Sequence, residues 1–117
     1  MEKSALREKA KEFAKNIVFL TKEIRETQKE NVLSNQLLRS GTSIGANIHE
    51  AQYGHGAADF VSKLEIALKE CFESEYWLEL LFETGYIPED RYKKLRLDCG
   101  LIRKMLISSC TTLKGKR

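Results

Sequence analysis

At 117 residues and 13.5 kDa, with 42% hydrophobic and 32% charged residues, seven glycines and one proline, the chain has the makeup of one helix-rich domain, which excludes disorder and a many-turned β-fold. Its formal net charge of +3 hides an uneven spread: the excess of Lys and Arg over Asp and Glu is +3 across residues 1–29, −1 across 30–56, −5 across 57–84 and +6 across 88–117. No basic start runs into an apolar stretch and no run of about 18 apolar residues occurs, so a signal peptide and a membrane span are excluded and a cytoplasmic protein is expected.

From Leu6 the apolar residues Leu6, Ala10, Phe13, Ile17, Leu20 and Ile24 recur at spacings of four and three, the seam of a bundle helix. This predicts helix A over about 4–27, with Ser4 as its N-cap. A polar connection, QKEN, leads to Leu37, Gly41, Ile44, Ile48 and Ala51 at the same spacing, which predicts helix B over about 31–52. Gly54, His55 and Gly56 break the pattern and reverse the chain. Phe60, Leu64, Ala67, Cys71, Ser74, Leu78 and Leu81 carry helix C over about 57–84, ending near Gly85 as a C-cap. Pro88 suits a first helical turn, and Tyr92, Leu95, Cys99, Ile102, Leu106, Ser109 and Leu113 carry helix D over about 88–112. A basic tail over 113–117 follows, with Lys114, Lys116 and Arg117. Short loops force such helices to alternate, so the predicted fold is an all-α, antiparallel up-down-up-down four-helix bundle filling the chain as a single domain.

Helix C carries more apolar surface than one buried face needs, namely Val61, Ile66, Leu68, Phe72, Tyr76, Trp77, Leu80 and Phe82. One reading is a broad core with a few exposed aromatics. The other is a subunit interface centred on Phe72, Tyr76, Trp77 and Leu80, since Trp and Tyr are enriched in interface cores.

Helix B is unusual in RSGTSIGANIHE, residues 39–50, because Gly41 and Gly45 each cost about 1 kcal/mol relative to alanine in a helix. Lying one turn apart, both are expected to let a neighbouring helix approach closely. Arg39, Ser43, Asn47 and Glu50 form a polar line beside the apolar seam. With Glu73 and Glu75 of helix C it makes either a structural network, in which Arg39 pairs with a glutamate, or a contact surface for a ligand or RNA.

The run from Gln36 through Arg39, Ser43, Ile44, Asn47, Ile48 and Glu50, then Phe60, Leu64, Ala67, Leu68, Glu73, Glu75 and Leu78, and finally Gly85 and Tyr86, resembles the four-helix-bundle proteins encoded in intervening sequences of bacterial 23S ribosomal RNA genes. Accessory proteins of diversity-generating retroelements are related to them. The resemblance spans roughly residues 30–110 and implies a bacterial bundle that assembles as a homopentamer and binds nucleic acid through a basic surface. In the retroelement branch it further implies a reverse-transcriptase-type protein as partner. The chain departs from the family pattern in His49, where alanine is usual, in Gly45, where proline is frequent, and in lacking a proline between helices A and B.

No catalytic constellation emerges. Gly41 to Gly45 match G-x-S-x-G, but a nucleophile elbow needs a strand before it and a later acid and histidine in an α/β sheet. His49 and Glu50 begin like H-E-x-x-H, yet Tyr53 stands where the second histidine belongs. Paired Glu-x-x-His motifs for a di-iron site are missing, and Cys71, Cys99 and Cys110 form no C-x-x-C pair, so each reads as a small buried hydrophobe. No catalytic residue, metal or cofactor is therefore expected, and the chain reads as a binding module, not an enzyme.

An electrostatic site is what remains. Arg91, Lys93, Lys94, Arg96, Arg103 and Lys104 lie on helix D, and Lys3, Arg7, Lys11 and Lys15 on helix A, its neighbour in a four-helix ring. Together they form either a shared face for structured RNA, with Lys11 and Lys15 as its helix A members, or ordinary solvated surface. The competing function is a structural or adaptor role, with a protein partner on the acidic or aromatic surface.

Overall fold

The structure, a computed structural model, describes residues 2–115, and side chains from residue 5 to 115. It holds four helices, α1 (Glu2–Gln28), α2 (Val32–Ala51), α3 (Gly56–Glu83) and α4 (Glu89–Gly115), with no strand among the described residues. They pack into a body 48 × 22 × 21 Å, its length set by helices of 27 or 28 residues at 1.5 Å per residue. Helix α2 packs against α1 and α3, and α4 against α3, while the contact between α1 and α4 is the thinnest of the four.

The apolar seams meet in one core. Leu6, Ala10, Phe13, Ile17, Leu20 and Ile24 of α1 are all buried, as are Leu37, Gly41, Ile44, Ile48 and Ala51 of α2. Leu64, Ala67, Cys71, Leu78 and Leu81 face them from α3, and Leu95, Cys99, Ile102 and Leu106 from α4. Burying each of the larger side chains contributes about 1.5–3 kcal/mol. Near its end α4 buries Cys110 instead of Ser109, because a straight helix of 3.6 residues per turn drifts away from a strict heptad. Val61, assigned to the outer surface of the third helix, is buried, and Ile87 joins the core from the last connection.

The helix ends depart from expectation for local reasons. Helix α1 already contains Ser4, so that residue is not its N-cap, and its side chain lies outside the described residues. Asn31 at the start of α2 makes no side-chain cap. Glu30 does this instead: the backbone N–H groups of Leu33 and Ser34 donate to its carboxylate at 3.0 and 2.9 Å, satisfying two of the helix's free donors. Burial pulls the Glu30 carboxyl up, but these bonds and one from the Ser34 hydroxyl outweigh it and hold its pKa below the usual value. Helix α3 ends in a Schellman arrangement around Gly85, whose φ of +90 is open to glycine. There Tyr86 N–H reaches Leu81 O at 2.8 Å and Gly85 N–H reaches Phe82 O at 3.1 Å. Pro88 precedes α4 and supplies the carbonyl that accepts from Tyr92 N–H at 3.0 Å.

The expected basic tail is partly helix. Residues 113–115 continue α4, because Leu113 packs on the core and Lys114 pairs with Glu65 of α3. Lys116 and Arg117 lie outside the described residues.

Candidate functional site

The basic residues assigned to the fourth helix are mostly occupied within the chain. Arg91 Nη1 pairs with Glu23 of α1 at 3.0 Å, Lys93 with Glu89 at 2.9 Å and Lys94 with Asp98 at 2.9 Å. Arg103 Nε donates to Glu75 Oε2 at 2.9 Å, and Arg96 Nη1 lies 3.8 Å from Glu75 Oε1. The Glu75 hydrogen bond holds the Arg103 guanidinium above its ordinary pKa, and the Glu89 bond does the same for Lys93. Arg103 also stacks over the Phe72 ring at 5.4 Å. Of the six candidates on α4, Lys104 alone makes no ion pair among the described residues.

On α1 the picture reverses. Lys15 sits 3.8 Å from Glu12, but among the described residues Lys11, Lys22 and Arg25 make no ion pair, and Arg7 is engaged only by a neutral partner, donating to Gln52 Oε1 at 2.9 Å. Arg7, Lys11, Lys22 and Arg25, at spacings of four, eleven and three, lie on the side of α1 next to α2. The Nη1 of Arg25 is buried with no hydrogen-bond partner. Sequence reasoning saw Lys11 and Lys15 but missed that this stripe continues to Lys22 and Arg25, although helical spacing alone displays it. Lys3 lies outside the residues whose side chains are described.

At one end of the stripe α1 and α2 flank a cavity of about 500 Å³, lined by Arg7, Glu8, Lys11, Thr42, Gly45 and His49 among others. Its floor is low because Gly45, Ala46 and Ala14 project so little. The His49 ring forms one wall and meets the Tyr53 ring at 5.3 Å and 52°, with Tyr53 72% exposed in the turn after α2. That turn is pinned by the Arg7–Gln52 bond and by Tyr53 N–H donating to Glu50 O at 3.0 Å.

The polar line of α2 does not act as one network. Arg39 pairs with Glu73 and lies 3.5 Å from Glu70, and Glu73 also accepts from Trp77 Nε1 at 2.9 Å. The Ser43 hydroxyl donates to Arg39 O and Asn47 Nδ2 to Ser43 O, both within α2. Glu50 pairs with Lys63 at 3.2 Å. Glu75 does not belong with Arg39: two residues turn a helix by about 200°, which carries Glu75 to the α4 side. The polar link inside the bundle is one that sequence reasoning missed, Ser74 Oγ donating to Ser40 Oγ at 2.9 Å with both residues fully buried.

Of the four candidate interface residues, Phe72 and Tyr76 are exposed, whereas Trp77 and Leu80 are half-buried. Phe19 of α1 and Leu97 and Leu101 of α4 also stand in water, at 60%, 63% and 41% exposure, so the surplus apolar surface is not confined to α3.

All three thiols are free and buried. The neighbouring Cys71 side chain, then burial, holds the Cys99 thiol well above its ordinary pKa, and burial raises that of Cys110. Among the described residues no three His, Cys, Asp or Glu side chains converge, and no helix is long and apolar enough to cross a membrane.

The family model described as 23S rRNA-intervening sequence protein matches residues 2–108. A crystal structure from Bacteroides thetaiotaomicron VPI-5482, described as a protein with unknown function from the S23 ribosomal protein family, is similar at 50% identity and a TM-score of 0.93, covering 95% of this chain and 99% of that one. No curated protein matches.

Proposed function

The chain belongs to the 23S rRNA-intervening sequence protein family, and from that premise we propose that it is a non-enzymatic, self-associating binding module of the cytoplasm that holds structured RNA on the basic side of α1. The observation that carries the RNA reading is the stripe of Arg7, Lys11, Lys22 and Arg25, cations with no carboxylate partner among the described residues. A phosphate meeting them displaces counterions without first breaking an ion pair. On α4 most cations already face a carboxylate that would repel the same phosphate.

An up-down-up-down course is supported by bonds between opposite ends of neighbouring helices: Arg7 with Gln52, Glu50 with Lys63, Glu65 with Lys114 and Glu23 with Arg91. Self-association is supported by Phe72, Tyr76, Phe19, Leu97 and Leu101, large apolar groups that a lone protomer leaves in water. A homopentamer, the number implied by the family resemblance, would repeat the α1 stripe and raise the affinity of each weak contact by avidity.

Light scattering behind size exclusion, and RNA anisotropy at several salt concentrations, test both parts. An oligomer is expected, with RNA affinity that falls steeply with salt. Reversing Lys11, Lys22 and Arg25 to glutamate should lower the log–log salt slope by about 2 and weaken binding more than reversing Lys93, Lys94 and Arg96. Equal effects of the two triple variants would refute the placement on α1. A monomer that binds no RNA would favour the adaptor reading, with a protein partner on the apolar surface of α3 and α4.

A further inference from the structure

We propose that the His49–Tyr53 ring pair at the end of α2 is a stacking platform for an unpaired nucleobase, and that the adjoining α1/α2 cavity takes the phosphate next to it. The inference rests on the RNA reading above and narrows it to single-stranded or looped nucleotides.

Three features meet at this place. Tyr53 lies 72% exposed in the turn after α2, and its ring meets that of His49 at 5.3 Å. An aromatic face held in water beside a groove is what an unstacked base needs, because every base has a π-face whatever its sequence. His49 is shared: one side meets Tyr53, and the residue also lines the cavity of about 500 Å³ that holds Arg7, Lys11 and the Thr42 hydroxyl. A base on the rings would therefore leave its phosphate beside two cations.

The carboxylates nearby do not cancel those cations. Glu8 is the one acid among the described residues lining the cavity, against the two cations Arg7 and Lys11; Glu50 is held by Lys63 at 3.2 Å, and the Asp59 carboxylate lies against Gly54 and does not line the cavity. The turn is also anchored: the Arg7–Gln52 bond ties it to α1. Such anchoring lowers the ordering cost of binding. Bases inside a duplex have both faces covered by their neighbours, so the platform favours unpaired RNA over duplex.

The test uses the full-length protein, a labelled unstructured oligonucleotide and a blunt RNA duplex, each titrated by anisotropy at one salt concentration. Tyr53→Ala should weaken the single strand about tenfold and leave the duplex unchanged, and Tyr53→Phe should restore the single strand. The exposure of Tyr53 lets both variants fold, which circular dichroism checks. Wild-type affinity of Tyr53→Ala for both probes would overturn the platform and leave the RNA reading standing. Equal losses in Tyr53→Ala and Tyr53→Phe would also overturn it, since stacking does not need the phenol oxygen. If the wild-type protein binds neither probe, the RNA reading itself fails and the platform with it.

Discussion

Three single substitutions, Gly45→Ala, Gly41→Ala and Gly100→Ala, separate a glycine that helix packing needs from glycines that α2 and α4 merely carry. All three sit inside helices, where alanine is favoured over glycine by about 1 kcal/mol. A Cβ on Gly45 would rest 3.6 Å from the Ala10 carbonyl oxygen, ordinary contact, and one on Gly100 would meet nothing nearer than an Arg103 Nη2 at 3.5 Å. Both variants should gain close to the full 1 kcal/mol, about 4 °C in Tm for a chain of this size. On Gly41 the Cβ would fall 3.0 Å from both Ile17 Cγ1 and Cγ2 and 3.3 Å from Ile17 Cβ. Isoleucine is branched at Cβ and stiff at χ1, so it cannot swing away, and the helices must part. Overpacking of this kind costs about 1–3 kcal/mol, which cancels the propensity gain or reverses it by up to about 2 kcal/mol. Thermal unfolding at one fixed protein concentration reads the outcome, since self-association would otherwise shift Tm. If Gly41→Ala rises as far as Gly45→Ala, the close approach of Ile17 to α2 is wrong.

The buried serines should respond asymmetrically. Ser40→Ala removes the acceptor of the Ser74 hydroxyl and should cost about 1–2 kcal/mol, whereas after Ser74→Ala the Ser40 hydroxyl keeps its bond to Leu37 O and the loss should be smaller, as urea unfolding of the two variants will show. Glu30→Ala should lower stability by about 1 kcal/mol at neutral pH. Because the folded Glu30 pKa lies below its unfolded value, the contribution is present above the unfolded pKa and is lost as pH falls through the folded one. The gap between variant and wild type should therefore close in acid, as unfolding midpoints from pH 7 downward will report. Glu75→Gln leaves Arg96 and Arg103 facing a neutral amide at a buried position and should cost about 2 kcal/mol, again by urea unfolding.

What the sequence displayed and what it concealed divide along the range of the interactions. The seams of α1 and α2 could be read residue by residue, because a core-facing helix repeats its apolar positions every three or four residues whatever it packs against. The capping role of Glu30 was less visible, since the usual cap residue Asn31 stands beside it and only the backbone path selects between them. Ser40 and Ser74 reveal themselves as partners only across 34 residues of chain. Glu75 illustrates the opposite case: helical geometry alone separates it from Glu73 by most of a half-turn, so its pairing with α4 was within reach of the sequence.

The basic surface is where counting charges misleads most. Residues 88–117 carry the largest positive excess in the chain, yet Lys93 and Lys94 lie one turn from Glu89 and Asp98, and Arg91, Arg96 and Arg103 reach carboxylates on other helices. A phosphate approaching any of these meets a dipole, not a free cation, and the attraction falls off faster with distance. Residues 1–29 have half that excess, but it is concentrated on one side of α1 and faces no acid across the α1/α2 contact. Affinity for a polyanion follows the cations left unpaired along one line, since each releases its counterion only once. Within the acidic stretch 57–84, Glu65 and Glu75 neutralise cations of α4, and in the proposed RNA reading that neutralisation is what leaves α1 as the side a phosphate chain would select.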